Sequence, residues 1–179
     1  MHWQELVDRQ PRLAGVAHTR LIEPGVLLVA TVRRDGTPRL SPVEPFVIEG
    51  DLMLSMLWGS WKARDLLRDP RILVHSIVTG RDGAEGELKL RGTAREEREP
   101  RRQGRYAEAV AASLGWRPEP GRFHLFSLEI SDVTFLRYHE PTGDQYLASW
   151  PPAREQVRRG TSATSLGEPE PVTDLLVPE

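Results

Sequence analysis

The stretch Leu28-Val29-Ala30-Thr31-Val32-Arg33-Arg34-Asp35-Gly36-Thr37-Pro38-Arg39-Leu40-Ser41-Pro42-Val43 decides the fold. From Val26 to Arg33 the chain is dense in β-branched residues and too short for a core helix, and Asp35-Gly36 ends it. Asp-Gly between two such runs is a strong hairpin signal. The return strand starts near Arg39 and reaches Glu49. Pro42 and Pro45 have no N–H to give to a central ladder, so a bulge or an unpaired side is expected there.

Outward from this hairpin the pattern repeats. Pro24-Gly25 separates it from an N-terminal segment in which Pro11 divides two short helices, one to about Arg9 and one around Leu13–Arg20. Gly50-Asp51 turns the chain into a third strand, Leu52–Leu57. Ser60 is placed to cap a helix that Pro70 ends, and Arg71–Thr79 reads as a fourth strand. After the turn at Gly80–Gly86, Leu88, Leu90, Gly92 and Ala94 alternate with Glu87, Lys89, Arg91 and Arg95, as in a half-buried antiparallel strand. A charged stretch, including Glu96-Glu97-Arg98-Glu99 as a solvated face, leads to an alanine-rich helix near Arg105–Leu114. Strands Phe123–Ile130, Val133–Tyr138 and Gln145–Trp150 follow. Tight turns between successive strands favour a mainly β fold with short helices, an antiparallel barrel or sandwich of six to eight strands. Residues 1–150 form its domain. Residues 151–179, rich in Pro, Arg, Glu, Ser, Thr and Gly, read as an irregular tail, with Leu175-Leu176-Val177 able to dock locally.

Composition removes several function classes. The 179 residues include no cysteine, so disulfides, thiolate catalysis and cysteine-ligated metals are excluded. A net charge of −2 argues against a nucleic-acid or polybasic membrane binder. No apolar run approaches the ~20 residues of a membrane span, and the N-terminus lacks a signal-like region, so a cytoplasmic protein is expected. There is no P-loop and no G-x-S-x-G. Ser113 and Ser165 lie in Ala-x-Ser-x-Gly contexts without a strand-to-helix elbow. His2, His18, His75, His124 and His139 show no metal-ligand spacing, and an ordinary structural role is the reading for His75 and His124.

One segment carries chemistry. Of 24 basic residues only Lys62 and Lys89 are lysines, and Lys62 falls with Ser60 and Trp61 in the first turn of a helix. Free amides there favour an anion, and a hydroxyl and an ammonium beside them make a phosphate seat. The bland alternative is an N-cap serine beside solvent-facing cations. Arg64 reads as an ion pair with Asp69, and Trp150 as core or rim packing.

The opening hairpin quoted above resembles that of the pyridoxamine 5′-phosphate oxidase-like, flavin-binding split β-barrel superfamily. Ser60-Trp61-Lys62-Ala63-Arg64-Asp65-Leu66-Leu67-Arg68-Asp69-Pro70-Arg71 resembles the family's K-x-R-N-L-x-x-D-P-R element, with Asp65 where Asn is usual. Arg91-Gly92-Thr93-Ala94 resembles its later G-x-A strand. The resemblance spans roughly residues 10–150 and implies a homodimer with FMN at the subunit interface. It assigns the phosphate to Lys62 and Ser60 with Trp61 beside it, one edge of the isoalloxazine to Arg39, Ser41 and Pro42, and the other side to Ser55 and Met56. A flavin performs its own electron and hydride transfers, which suits a chain with no catalytic triad or metal site. The implied function is oxidation or reduction of a small organic substrate. A deazaflavin coenzyme in place of FMN, or non-catalytic binding of a flavin or tetrapyrrole, are the alternatives. The B6-oxidase substrate motif is missing from the tail.

Overall fold

The computed structural model describes residues 1–119 and 121–176. Its N-terminal helices are α1 (Trp3–Arg9) and α2 (Pro11–Ala17), and a single π-helical turn (His18–Ile22) continues α2. Among the described residues ten strands follow, with two further helices between them. They are β1 (Leu27–Val32), β2 (Pro38–Val43), β3 (Pro45–Ile48), β4 (Asp51–Leu57), β5 (Arg71–His75), β6 (Glu87–Glu96), β7 (Phe123–His139), β8 (Asp144–Trp150), β9 (Arg154–Ser162) and β10 (Ser165–Pro171). The helices are α3 (Trp61–Arg68) and α4 (Pro100–Leu114). Among the described residues no helix is long and apolar enough to cross a membrane, and no three metal-ligating side chains cluster.

Every pairing is antiparallel. The main path runs β10-β9-β8-β7-β6-β5-β1-β2, while β4 pairs with both β3 and β7. The long β7 explains the split. Its first part, Phe123–Ser127, pairs with Leu57–Met53 of β4, and its second, Val133–His139, pairs with β8. On its other side β6 follows both parts, with a shift in register between Arg91 and Gly92 that skips Ser131. Two strands expected at Phe123–Ile130 and Val133–Tyr138 are thus one strand bent at this bulge, which strengthens twist and lets a sheet change partners. Gly92 is required at the bend, because a Cβ there would lie 2.2 Å from the Glu129 carbonyl oxygen.

Alternation builds the interior. Leu27 and Val29 of β1, Leu88 and Leu90 of β6, and Val133 and Phe135 of β7 join one large core beneath the N-terminal helices. A second, smaller core under α4 holds Met53, Tyr106, Val110, Phe123 and Leu125. The return strand breaks at Glu44 between its two prolines, as their missing donors require, giving β2 and β3.

The tail corrects the sequence reading in one respect: residues 154–171 form a β-hairpin. Strand β9 extends the sheet beyond β8, Val157 is fully buried, and Leu175 and Leu176 pack against the main core. Val157 is the one buried side chain of the hairpin strands, the rest being half-buried or exposed, so they show no apolar alternation to mark them. Val177 lies outside the described residues. Glu96 and Glu97 likewise are not a solvated face. Glu96 binds His124 at 3.0 Å and Glu97 binds Arg102 at 2.7 Å, so the pair ties β6 to its neighbours.

Candidate functional site

The turn from β4 into α3 is built by its own residues. Gly59 adopts φ +68°, a left-handed conformation that favours glycine. Ser60 is extended, and its Oγ accepts from the Ala63 amide at 3.4 Å, while the Arg64 amide donates to the Ser60 carbonyl. This is the N-cap the sequence predicts. It leaves the amides of Trp61 and Lys62 as free donors of the first turn, and the Ser60 hydroxyl keeps its own hydrogen to give.

His124 holds this turn from below. Its Nε2 accepts from the Gly59 amide at 3.3 Å, and its Nδ1 faces Glu96 at 3.0 Å. An Nε2 that accepts from the Gly59 amide leaves Nδ1 as the donor to the carboxylate. Trp58 stacks on the same ring at 4.5 Å and 2°. The histidine is structural, as expected from the sequence, but its target is the candidate site itself. His75 is also engaged, at 2.5 Å to the Ser76 carbonyl and 3.2 Å to Glu87.

Lys62 is half-buried, and its Nζ donates to the Pro42 carbonyl at 3.0 Å. No carboxylate lies within ion-pair distance of it among the described residues. Burial pulls its pKa below the ordinary lysine value, and Glu44 only partly opposes this. An ammonium in this state gains from an incoming anion. Beside it the surface is apolar and open: Leu57 is 77%, Trp58 61% and Trp61 66% exposed. Arg64 lies over the Trp61 ring, 5.1 Å from its centre. The expected Arg64–Asp69 ion pair does not form, because Asp69 takes Arg71 at 2.6 Å instead.

Asp65 joins the pieces. This buried carboxylate accepts from Thr31 of β1 at 3.0 Å and from Arg39 of β2 at 2.7 Å, with Arg68 at 3.5 Å. Burial alone would raise its pKa, but the bonds from Arg39 and Thr31 outweigh that and hold it below the usual value. Arg39 therefore docks α3 onto the opening hairpin, where the resemblance had assigned it to a ring edge. Thr31 and Arg39 are direct partners across β1 and β2, as are Val29 and Ser41, so Ser41 shares the α3-facing side of β2 and is half-exposed. Pro42, on the opposite side, brings its carbonyl to Lys62.

Ser55 and Met56 cannot present side chains to one ligand. Neighbours on a strand point to opposite faces. Met56 is 2% exposed in the main core, and Ser55 accepts from Tyr106 of α4 at 2.7 Å. Burial raises the pKa of that tyrosine to about 12. Met56 has only its backbone left for a ligand, while the half-exposed Ser55 hydroxyl keeps its own hydrogen to give. The structure thus gathers Ser60, Trp61, Lys62, Pro42 and, through Asp65, Arg39 around the start of α3. Trp58, His124 and Asp65 are the residues that sequence reasoning did not assign to this site. Asp65 had left a signal, standing where the related element carries Asn.

Residues 15–137 match the pyridoxamine 5′-phosphate oxidase family. Among solved structures, the chain is similar to a nimc/nima family protein from Clostridium acetobutylicum at 18% identity and TM-score 0.58, covering 83% of this chain and all of that one. An F420 reductase is similar at 19% identity and TM-score 0.52, over 65% of this chain and 94% of that one. A heme binding protein from Mycobacterium smegmatis is similar at 15% identity and TM-score 0.52, over 88% and 90%. No curated protein sequence matches the chain.

Proposed function

The chain belongs to the pyridoxamine 5′-phosphate oxidase family, and from that premise we propose that it is a homodimeric flavoprotein that holds FMN at the α3 ledge and oxidises or reduces a small organic substrate. The observation that carries the reading is Lys62, a half-buried ammonium held, among the described residues, only by a backbone carbonyl beside two free helix amides. A phosphate there would take charge-assisted bonds from Lys62, the Ser60 hydroxyl and the first-turn N–H groups. These residues fit the phosphate of FMN. The side toward the ring offers Ser41 and the backbone of β2 and β4, while Arg39 is occupied by Asp65.

Bound FMN supplies electron and hydride transfer. The chain's own part is to fix the phosphate, keep the turn rigid through His124, and shield one side of the site with Trp58 and Trp61. Exposed leucine and tryptophan side by side on a turn mark a surface that a partner covers, which supports a second copy closing the site.

A deazaflavin coenzyme is the second reading, favoured by the shared fold with the F420 reductase. The test is a parallel absorbance and fluorescence titration of the purified protein with FMN, the deazaflavin coenzyme and haemin, with sedimentation of the loaded protein. Saturation at one FMN per chain in a dimer supports the proposal. Saturation by either other ligand, with FMN leaving the spectrum unchanged, overturns it.

A further inference from the structure

A cleft of about 540 Å³ opens between α2, the π-helical turn and the far end of β7. Val16, Phe135, Leu175 and Leu176 form its apolar wall, and it shares no residue with the α3 ledge. Three independent features point to a ligand. The first is Gly15, inside α2, where glycine weakens a helix relative to alanine. Among the described residues nothing lies within 4 Å of the position its Cβ would take, so close packing does not require it, and the missing side chain keeps the cleft open.

The second is the π-helical turn itself, in which the Glu23 amide donates to the His18 carbonyl at 3.1 Å. Such turns are rare and concentrate at functional sites. This one keeps Leu21 in the core while Thr19 and Arg20 line the cleft.

The third is charge. Arg12 is paired with Asp174 at 2.7 Å, and Arg20 with Glu85 at 3.3 Å. Arg20 also donates to the Ile77 carbonyl, yet its buried Nε has no partner among the described residues. Arg137, two residues from Phe135 on the same face of β7, has no carboxylate within ion-pair distance among the described residues. It lies 5.4 Å from the centre of the Tyr146 ring. An apolar cleft rimmed by one uncompensated guanidinium selects an anion with a hydrophobic body, and the guanidinium fork matches a carboxylate.

We propose that this cleft binds a small carboxylate with a flat apolar body, the carboxylate on Arg137 and the body against Val16, Phe135 and Leu175. The volume falls in the range of small-molecule sites. The site is independent of the cofactor reading.

The test uses 2-naphthoate and the neutral 2-naphthalenemethanol as probes of the full-length protein, by calorimetry and amide chemical shifts. Naphthoate is expected to bind once per chain and at least about tenfold tighter than the alcohol, the usual worth of a charge-assisted bond. Its shifts should fall on residues 15–20 and 135–137. Gly15→Leu, which keeps a good helix former, should fill the cleft and abolish binding. Arg137→Gln should remove the preference over the alcohol. Equal binding of the two probes, unaltered binding to Gly15→Leu, or shifts confined to Ser60–Lys62 would overturn the proposal. So would binding that appears only after residues 177–179 are removed.

Discussion

Replacing Asp65 by alanine removes the carboxylate on which β1, β2 and α3 converge. Thr31 is buried and would keep an unpaired hydroxyl, at a cost of about 1–3 kcal/mol. Arg39, 22% exposed in its side chain, would lose its charged partner. Breaking a buried pair costs about 3–5 kcal/mol, and partial access to water reduces that here. A net loss of about 3 kcal/mol, at roughly 2–4 °C per kcal/mol for a chain of this size, lowers Tm by about 6–12 °C. Asp65→Asn preserves shape and an acceptor for Thr31, so its loss should be about 1–1.5 kcal/mol. The pH dependence follows from the lowered pKa of Asp65. Its contribution is complete above the unfolded value of about 4 and disappears as pH falls through the lower folded value. The gap in Tm between wild type and Asp65→Asn should therefore be full at pH 7 and narrow below about pH 4. Thermal unfolding followed by circular dichroism across pH 3–7 measures this. A Tm for Asp65→Ala within about 2 °C of wild type, or an Asp65→Asn loss as large as that of alanine, would refute the pivot.

Lys62→Ala should weaken FMN binding by about 1.5–3 kcal/mol, or roughly 10- to 150-fold, with little change in Tm; unaltered affinity in the titration would remove Lys62 from the phosphate seat. Gly92→Ala forces a Cβ onto the Glu129 carbonyl and should cost about 1–3 kcal/mol or more, read as a fall in denaturant midpoint with unchanged slope. Deleting residues 151–179 strips β9 and β10 from the sheet and leaves the β8 edge unpaired. A drop in Tm of at least about 5 °C is expected, whereas an irregular appendage would be lost without effect.

Much of the fold was legible because its signals are local. Asp35-Gly36 marks the first hairpin, where Gly36 has φ +85° and Asp35 Oδ1 accepts from the Thr37 amide at 3.0 Å. The alternation of residues 87–95 reappears in the burial of Leu88, Leu90 and Ala94. The C-terminal hairpin was not legible, because strands whose one buried side chain is Val157 have no period to detect. The single long β7 was also hidden. Whether a polar Ser-Asp pair ends a strand or bends one depends on the partner, and only Gly92 of β6, with its missing Cβ, allows the bend.

For the site, sequence reasoning could find Ser60 and Lys62 because capping and anion binding are properties of one helical turn. It could not see that Arg39 is already committed, since Asp65 lies 26 residues away and meets it only when α3 docks. Ser55 and Met56 stand on opposite faces of β4, an alternation that a motif carried over by position does not include. Exposed apolar side chains and free first-turn amides gather at the turn at Trp58–Lys62 rather than along β4. That turn is held by His124 from inside and is left apolar on its outer side. A surface that is rigid, cationic at one point and uncovered at Leu57, Trp58 and Trp61 is half of an enclosure. Under the proposed reading, the other half comes from a second copy of the chain.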